Sequence, residues 1–344
     1  MSPAHTFPTP AGNLPAGAAA PKDPLTHRWV VWVCGTLLGL LAADVVIGSY
    51  NAGISPLKPS LFTLAAVAAC LGFSCLAGLR FAPVSLLVLA LPAVRLFDAA
   101  LLSRSVTTLQ GQAGMDHLRV MLVLLAILAV LSTAPGMKAV RWAAILAILM
   151  TAGSEVAEML GIFQFSSIKG RFAGFNGHPN FPPVLLCEML GIAFALCRNF
   201  KFNCGLIAVS FVGVALTYGR SGFVVLALMS GVYILVNARK NLPFLALMAV
   251  LAIPAAGVGF AVLQSRTEQG IVKDKNTADR LQAIYELDFE KLKSPERAKD
   301  LADGWEAVME KPLLGHGTGV SGVLWAPHNE YVSIWLELGI PGLF

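Results

Sequence analysis

Several stretches of this chain carry no charged side chain for long enough to cross a membrane, among them residues 61–79, 120–137, 221–238 and 241–265. A helix rises about 1.5 Å per residue, so roughly 20 apolar residues span a hydrocarbon core about 30 Å thick. Lipid offers no hydrogen bonds, so every backbone N–H and C=O must be satisfied internally, and only α-helices or closed β-barrels meet that condition. A barrel would be written in segments of about ten residues with alternating polarity. These runs are continuous. Composition agrees: 56% of residues are hydrophobic against 13% charged, and the mean hydropathy of +0.70 lies well beyond that of a soluble domain. The sequence therefore predicts an all-α, polytopic transmembrane helical bundle.

Nine spans are expected before the one long polar segment: about 29–48, 61–79, 82–102, 118–134, 140–162, 182–197, 204–219, 221–238 and 242–264, with a tenth starting near Tyr331. Residues 1–28, rich in Pro and Ala, read as a disordered cytoplasmic tail without the apolar core of a signal peptide. Residues 29–264 form the bundle, 265–330 an extracytoplasmic loop, and 331–344 the start of a truncated tenth helix. Orientation follows from the bias of Lys and Arg towards cytoplasmic loops. With the N-terminus inside, Lys22, Arg28, Arg80, Lys138, Arg141, Arg198, Lys201, Arg239 and Lys240 lie inside, against Lys58, Arg104, Lys169, Arg171 and Arg220 outside, with Arg119 at a boundary. An odd number of spans then puts the long loop outside.

The six cysteines all lie in or beside apolar spans without metal-ligand spacing, so they read as small hydrophobes and no metal site is expected. The net charge of +5 gives no case for nucleic acid, because the long loop itself holds nine Lys and Arg against twelve Asp and Glu. Within that loop, SPERAKDLADGWEAVMEK predicts an amphipathic helix with Ala298, Leu301, Ala302, Trp305, Val308 and Met309 on one face. Ser294 reads as its N-cap, Pro295 as its first residue and Pro312 as its stop. Arg297 then falls in the first turn, where the helix dipole disfavours a cation unless an anion is bound there. Two further outer-face features are TYGRSG, which puts Arg220 in a tight turn between spans, and GFNGHPN, whose Gly and Pro expose His178 and Asn180.

GFNGHPN, TYGRSG, ERAKDLADGWEAVMEKPLLGHGTG and PHNEYVSIWLELGIPGLF occur in this order over residues 170–344 and together resemble the O-antigen ligase family, which includes related polymerases and O-oligosaccharyltransferases. The first 170 residues resemble it only in being hydrophobic spans. The resemblance implies about twelve membrane helices in a bacterial inner membrane, with the long loop in the periplasm. It also implies transfer of a glycan from an undecaprenyl-pyrophosphate carrier to an acceptor hydroxyl, by an inverting route without metal, nucleotide or other cofactor. The acceptor is lipid A-core in ligases, and a glycan or a protein in the relatives. The family's turn arginine falls on Arg220, its loop arginine on Arg297, and its essential histidine on His328. Arg280 competes for the loop position, although its spacing to Pro312 fits less well.

The chemistry of the residues is compatible with those roles. Planar, permanently charged guanidinium groups suit bidentate contact with a leaving pyrophosphate. The attacking hydroxyl must lose a proton, and a histidine with an ordinary pKa near about 6.5 is a natural general base. His316, between glycines, and Asn329, beside His328, are secondary candidates, as are Glu155 and Glu158, which share a face near the outer end of the fifth span and are candidates for lining a substrate cavity. A transporter shares many spans and intramembrane charges such as Arg95 and Asp98, but it needs its polar residues near the midplane. Here the arginines and histidines gather at the outer face, which favours an enzyme. Neither the acceptor nor the oligomeric state is written in the sequence.

Overall fold

The computed structural model describes residues 24–78, 122–168, 171–219, 222–238, 241–245, 295–317, 320 and 329–340. The expected span 82–102, most of 242–264, and Ser294 lie outside the described residues, as do three site candidates: Arg220, Arg280 and His328. Every regular element among the described residues is helical. The order is α1 (Pro24–Trp29), a π-helical turn (Val30–Cys34), α2 (Gly35–Ala42), α3 (Val45–Asn51), α4 (Pro59–Leu76), α5 (Leu122–Leu131) and α6 (Gly136–Met159). A short 3₁₀ turn (Gly174–Asn176) precedes α7 (Phe181–Leu196), α8 (Phe200–Thr217), α9 (Gly222–Ala238), α10 (Pro295–Glu310) and α11 (Glu330–Leu338).

Three of these helices, α4, α6 and α8, are long and apolar enough to cross a membrane. The segment His27–Ala42 with Val45–Asn51 makes a fourth if the two count as one span bent by 50°. The bend falls at Asp44, whose backbone is left-handed (φ 52°), a conformation that short polar side chains tolerate better than most. Helices α5, α7 and α9 are apolar but shorter.

Helix α6 is the axis of the bundle, and its alanines explain why. Ala139 and Ala143 let α2 approach so closely that a methyl group on Gly35 would lie 2.7 Å from the Ala139 carbonyl, and one on Gly39 would lie 3.0 Å from that of Ala143. Small residues four apart on both helices are how membrane helices reach close packing, because lipid tails give no hydrophobic drive for association. The first half of α6 closes a core with Val30, Cys34, Leu38, Val67, Cys70 and Val130. Its second half closes another through Ile148, with Leu186 and Leu190 of α7, Ile207 and Val214 of α8, and Leu226 of α9. Large apolar side chains such as Leu64, Leu149, Val212, Leu228 and Leu235 remain on the outside, as expected of lipid-facing positions. Five of the six cysteines are buried and Cys75 is exposed; all six are free thiols.

Helix α10 begins at Pro295 and stops just before Lys311 and Pro312, as the capping pattern predicts. Its packed face is rotated from the predicted stripe. Ala307 and Val308 are buried against Val332 and Leu336 of α11, and Gly304 is also buried, while Leu301, Trp305 and Met309 stay exposed. Trp305 meets Trp335 edge to face at 5.4 Å.

Candidate active site

The ends of three helices converge through the segment 160–180. The carboxylate of Glu158, in the last turn of α6, is almost fully buried and accepts four backbone N–H groups. Phe165 and Ser166 donate to Oε1, with Phe165 at 2.8 Å. Ala173 and Gly174 donate to Oε2 at 2.9 and 3.0 Å. One turn earlier, Ser154 Oγ accepts the N–H of Phe175 at 3.2 Å. Gly174 is left-handed (φ 52°) and any side chain on it would collide with Ser154, so this glycine is required by both conformation and space. The loop is thereby folded back over the end of α6.

The same loop is tied to the end of α8. Phe172 N–H donates to the Leu216 carbonyl at 3.2 Å, and buried Arg171 donates through Nε to the Thr217 carbonyl at 2.8 Å. The Nη2 of Arg171 donates to Asn180 Oδ1 at 3.1 Å. Thr217 Oγ1 accepts the N–H of Gly219 at 3.1 Å, and Tyr218 between them is left-handed (φ 55°). These contacts fix the geometry from which the chain passes into position 220. Arg171, which the sequence places only among the outer-loop cations, ties this loop to the end of α8. The signal available was its place directly ahead of the Gly-rich FAGFNGHPN run.

His178 is half-buried, its Nδ1 accepts the N–H of Asn180 at 3.3 Å, and its ring lies 5.5 Å from that of Phe181. Partial burial, with the nearby positive charge of Arg171 second, lowers its pKa below the usual histidine value. The Asn180 N–H at Nδ1 suits a ring whose proton is on Nε2. Beside Arg171 lies a cleft of about 360 Å³, lined among others by Glu158, Gln164, Ser166, Ile168 and Phe172. Among the described residues its charged lining groups are Arg171, bonded to Thr217 and Asn180, and the Glu158 carboxylate, which is engaged by four backbone N–H groups.

The remaining candidates belong to the unit formed by α10 and α11. Arg297 is the third residue of α10. His316 is part-buried, with Nε2 2.7 Å from the Ala307 carbonyl, to which it donates, and its backbone N–H donates to Leu336 at 2.7 Å. Gly315 (φ 69°) and Gly339 (φ 66°) let this loop lie against the end of α11 backbone to backbone. Asn329 caps α11, its Oδ1 accepting the N–H of Val332 at 3.2 Å. Thus Arg171, His178, Asn180 and Glu158 are brought together, whereas His316 and Asn329 serve the α10–α11 unit. Glu155 is fully buried against α8 and is not among the residues lining the cleft.

A family model described as O-Antigen ligase matches residues 205–344. Residues 205–344 are therefore similar to the O-antigen ligase family. No curated protein and no solved structure matches it. The matched part contains most of α8, the 217–222 segment, Arg280, Arg297, His316, His328 and Asn329. The Arg171 loop lies ahead of it and joins it through the Leu216 and Thr217 carbonyls. The family is of membrane glycosyltransferases of the O-antigen ligase or polymerase type, which accords with the apolar helices described above.

The Glu158 anchor gives a direct test of the loop. In Glu158→Gln one carboxylate oxygen becomes an NH₂ that faces two backbone donors. Each buried donor left without an acceptor costs about 1–3 kcal/mol. The variant should melt at lower temperature than the parent and be cut faster by protease between residues 160 and 177. An unchanged melting point and cleavage rate would show that the carboxylate does not hold the loop.

Proposed function

We propose that the protein is a membrane glycosyltransferase that moves a glycan from an undecaprenyl-pyrophosphate carrier to an acceptor hydroxyl at the periplasmic face of a bacterial inner membrane. The reaction most in keeping with the family is ligation of O-antigen to lipid A-core. The observation that carries this reading is the family match over residues 205–344, into which the Arg171 loop is hydrogen-bonded just before position 220. On this reading Arg220 and Arg297 bind the pyrophosphate. Arg171 acts through the chain at 217–219 and is a positioning residue. His328 takes the proton of the acceptor hydroxyl as its oxygen bonds to the anomeric carbon. The carbon–oxygen bond to pyrophosphate breaks, and its electron pair leaves with the phosphate oxygen. The anomeric configuration inverts, and arginine charge serves where a metal would otherwise be needed. On this reading the bundle has about ten spans within residues 29–344, with residues 265–330 in the periplasm.

Membranes containing the protein, supplied with a purified lipid-pyrophosphate-linked glycan and lipid A-core, should yield ligated product and free undecaprenyl pyrophosphate in equal amounts. Growth of the glycan on its own lipid carrier would assign the acceptor as glycan, and transfer to added polypeptide would assign it as protein. Failure to release undecaprenyl pyrophosphate with any of the three acceptors would overturn the transferase reading.

A further inference from the structure

A group of buried oxygens with no hydrogen-bond partner lies where α6 meets α8. Glu155 is 0% exposed, and neither of its carboxylate oxygens has a partner. Thr151, one turn earlier on α6, and Ser210 on α8 are also 0% exposed, and their hydroxyl oxygens too have none. The two helices run parallel, since α7 turns back between them and the loop from the end of α6 bonds to the last turn of α8. Glu155 Oε2 points at Gly213, where a methyl group would come within 2.6 Å of it, so the glycine makes room for the carboxylate. Ser210 precedes Gly213 by three residues, and Thr151 precedes Glu155 by four. In parallel helices this puts both hydroxyls on the facing sides, one turn from the carboxylate.

These oxygens are too far apart to bond one another, or each would have a partner. A proton on Glu155 removes the charge but makes one of its oxygens a donor that finds no acceptor, and it leaves both hydroxyls unpartnered. A water bridges the gap but leaves a carboxylate charge without compensation in a low-dielectric interior, which is costly. A cation does both. One carboxylate supplies one negative charge, and carboxylate and hydroxyl oxygens are hard ligands that suit alkali and alkaline-earth ions. Close helix approach at Ala152 and Gly213 favours a small ion. We infer that Thr151, Glu155 and Ser210 form a buried sodium site that locks α6 to α8. The site is independent of the transferase reading and stands or falls apart from it.

Purified protein in lipid nanodiscs, tested with radiolabelled sodium, should bind one ion per chain, displaced by unlabelled sodium and not by choline. Replacing choline by sodium at constant ionic strength should raise the melting midpoint by about 5 °C at roughly a hundredfold excess over the dissociation constant. Glu155→Gln should lose both effects. If that variant does not fold, Thr151→Val combined with Ser210→Ala should weaken sodium binding at least about tenfold. No saturable sodium binding by the parent protein, or affinity unchanged in these variants, overturns the site and leaves a proton or a water as its occupant.

Discussion

Replacing Arg220 or Arg297 by lysine lowers glycan transfer about 10² to 10³-fold, mainly in kcat, while protein level in the membrane stays normal. The basis is the difference between the two cations. Lysine keeps the charge but is a compact point donor, whereas the guanidinium fork matches two phosphate oxygens at once. Contacts that strengthen as charge develops on the leaving group act on the transition state more than on bound donor. A single such donor is commonly worth that range in rate. Arg297 has a second reason to act on phosphate: it stands in the first turn of α10, where free backbone N–H groups and the helix dipole attract an anion. EDTA should leave the rate unchanged. Transfer measured in membranes with purified lipid-linked donor decides the matter. Full activity in both lysine variants, or a loss with EDTA that a divalent ion restores, would refute the arginine clamp.

His328→Ala should reduce transfer by on the order of 10² to 10⁴-fold, the usual contribution of a positioned general base. Donor synthesis and membrane insertion should be untouched. The pH dependence separates catalysis from packing: with the acceptor held saturating, the parent rate should fall as pH drops through the histidine pKa, because the protonated ring cannot accept the hydroxyl proton. The residual rate of the variant should lose that limb. His178 is the control, since its pKa is held low by burial and by Arg171, and its Nδ1 is already occupied as an acceptor. Normal transfer by His328→Ala would move the search for the base to His178 and His316.

The chain's helical, membrane-spanning character was legible in the sequence because it follows from the length of uncharged runs, a quantity that needs no tertiary information. The same holds for the limits of α10, set by Pro295 and Pro312, and for the last three of the blocks that resemble the O-antigen ligase family, which lie within the match over residues 205–344. The face on which α10 packs was not legible. The hydrophobic stripe pointed to Leu301, Trp305, Val308 and Met309, but of these only Val308 is buried, beside Ala307 and against Val332 and Leu336 of α11, and which edge of the stripe is covered depends on where α11 docks. Nor could sequence separate Glu155 from Glu158, three residues apart on one helix. Loop N–H groups surround the second carboxylate and a glycine faces the first, and only the docking of the 160–180 loop and of α8 onto α6 makes that difference. Arg171 gave the same lesson. Its residue type announces a charge, but its partners, Thr217 and Asn180, lie 46 and nine residues away, and such contacts exist only once the helix ends have been brought together.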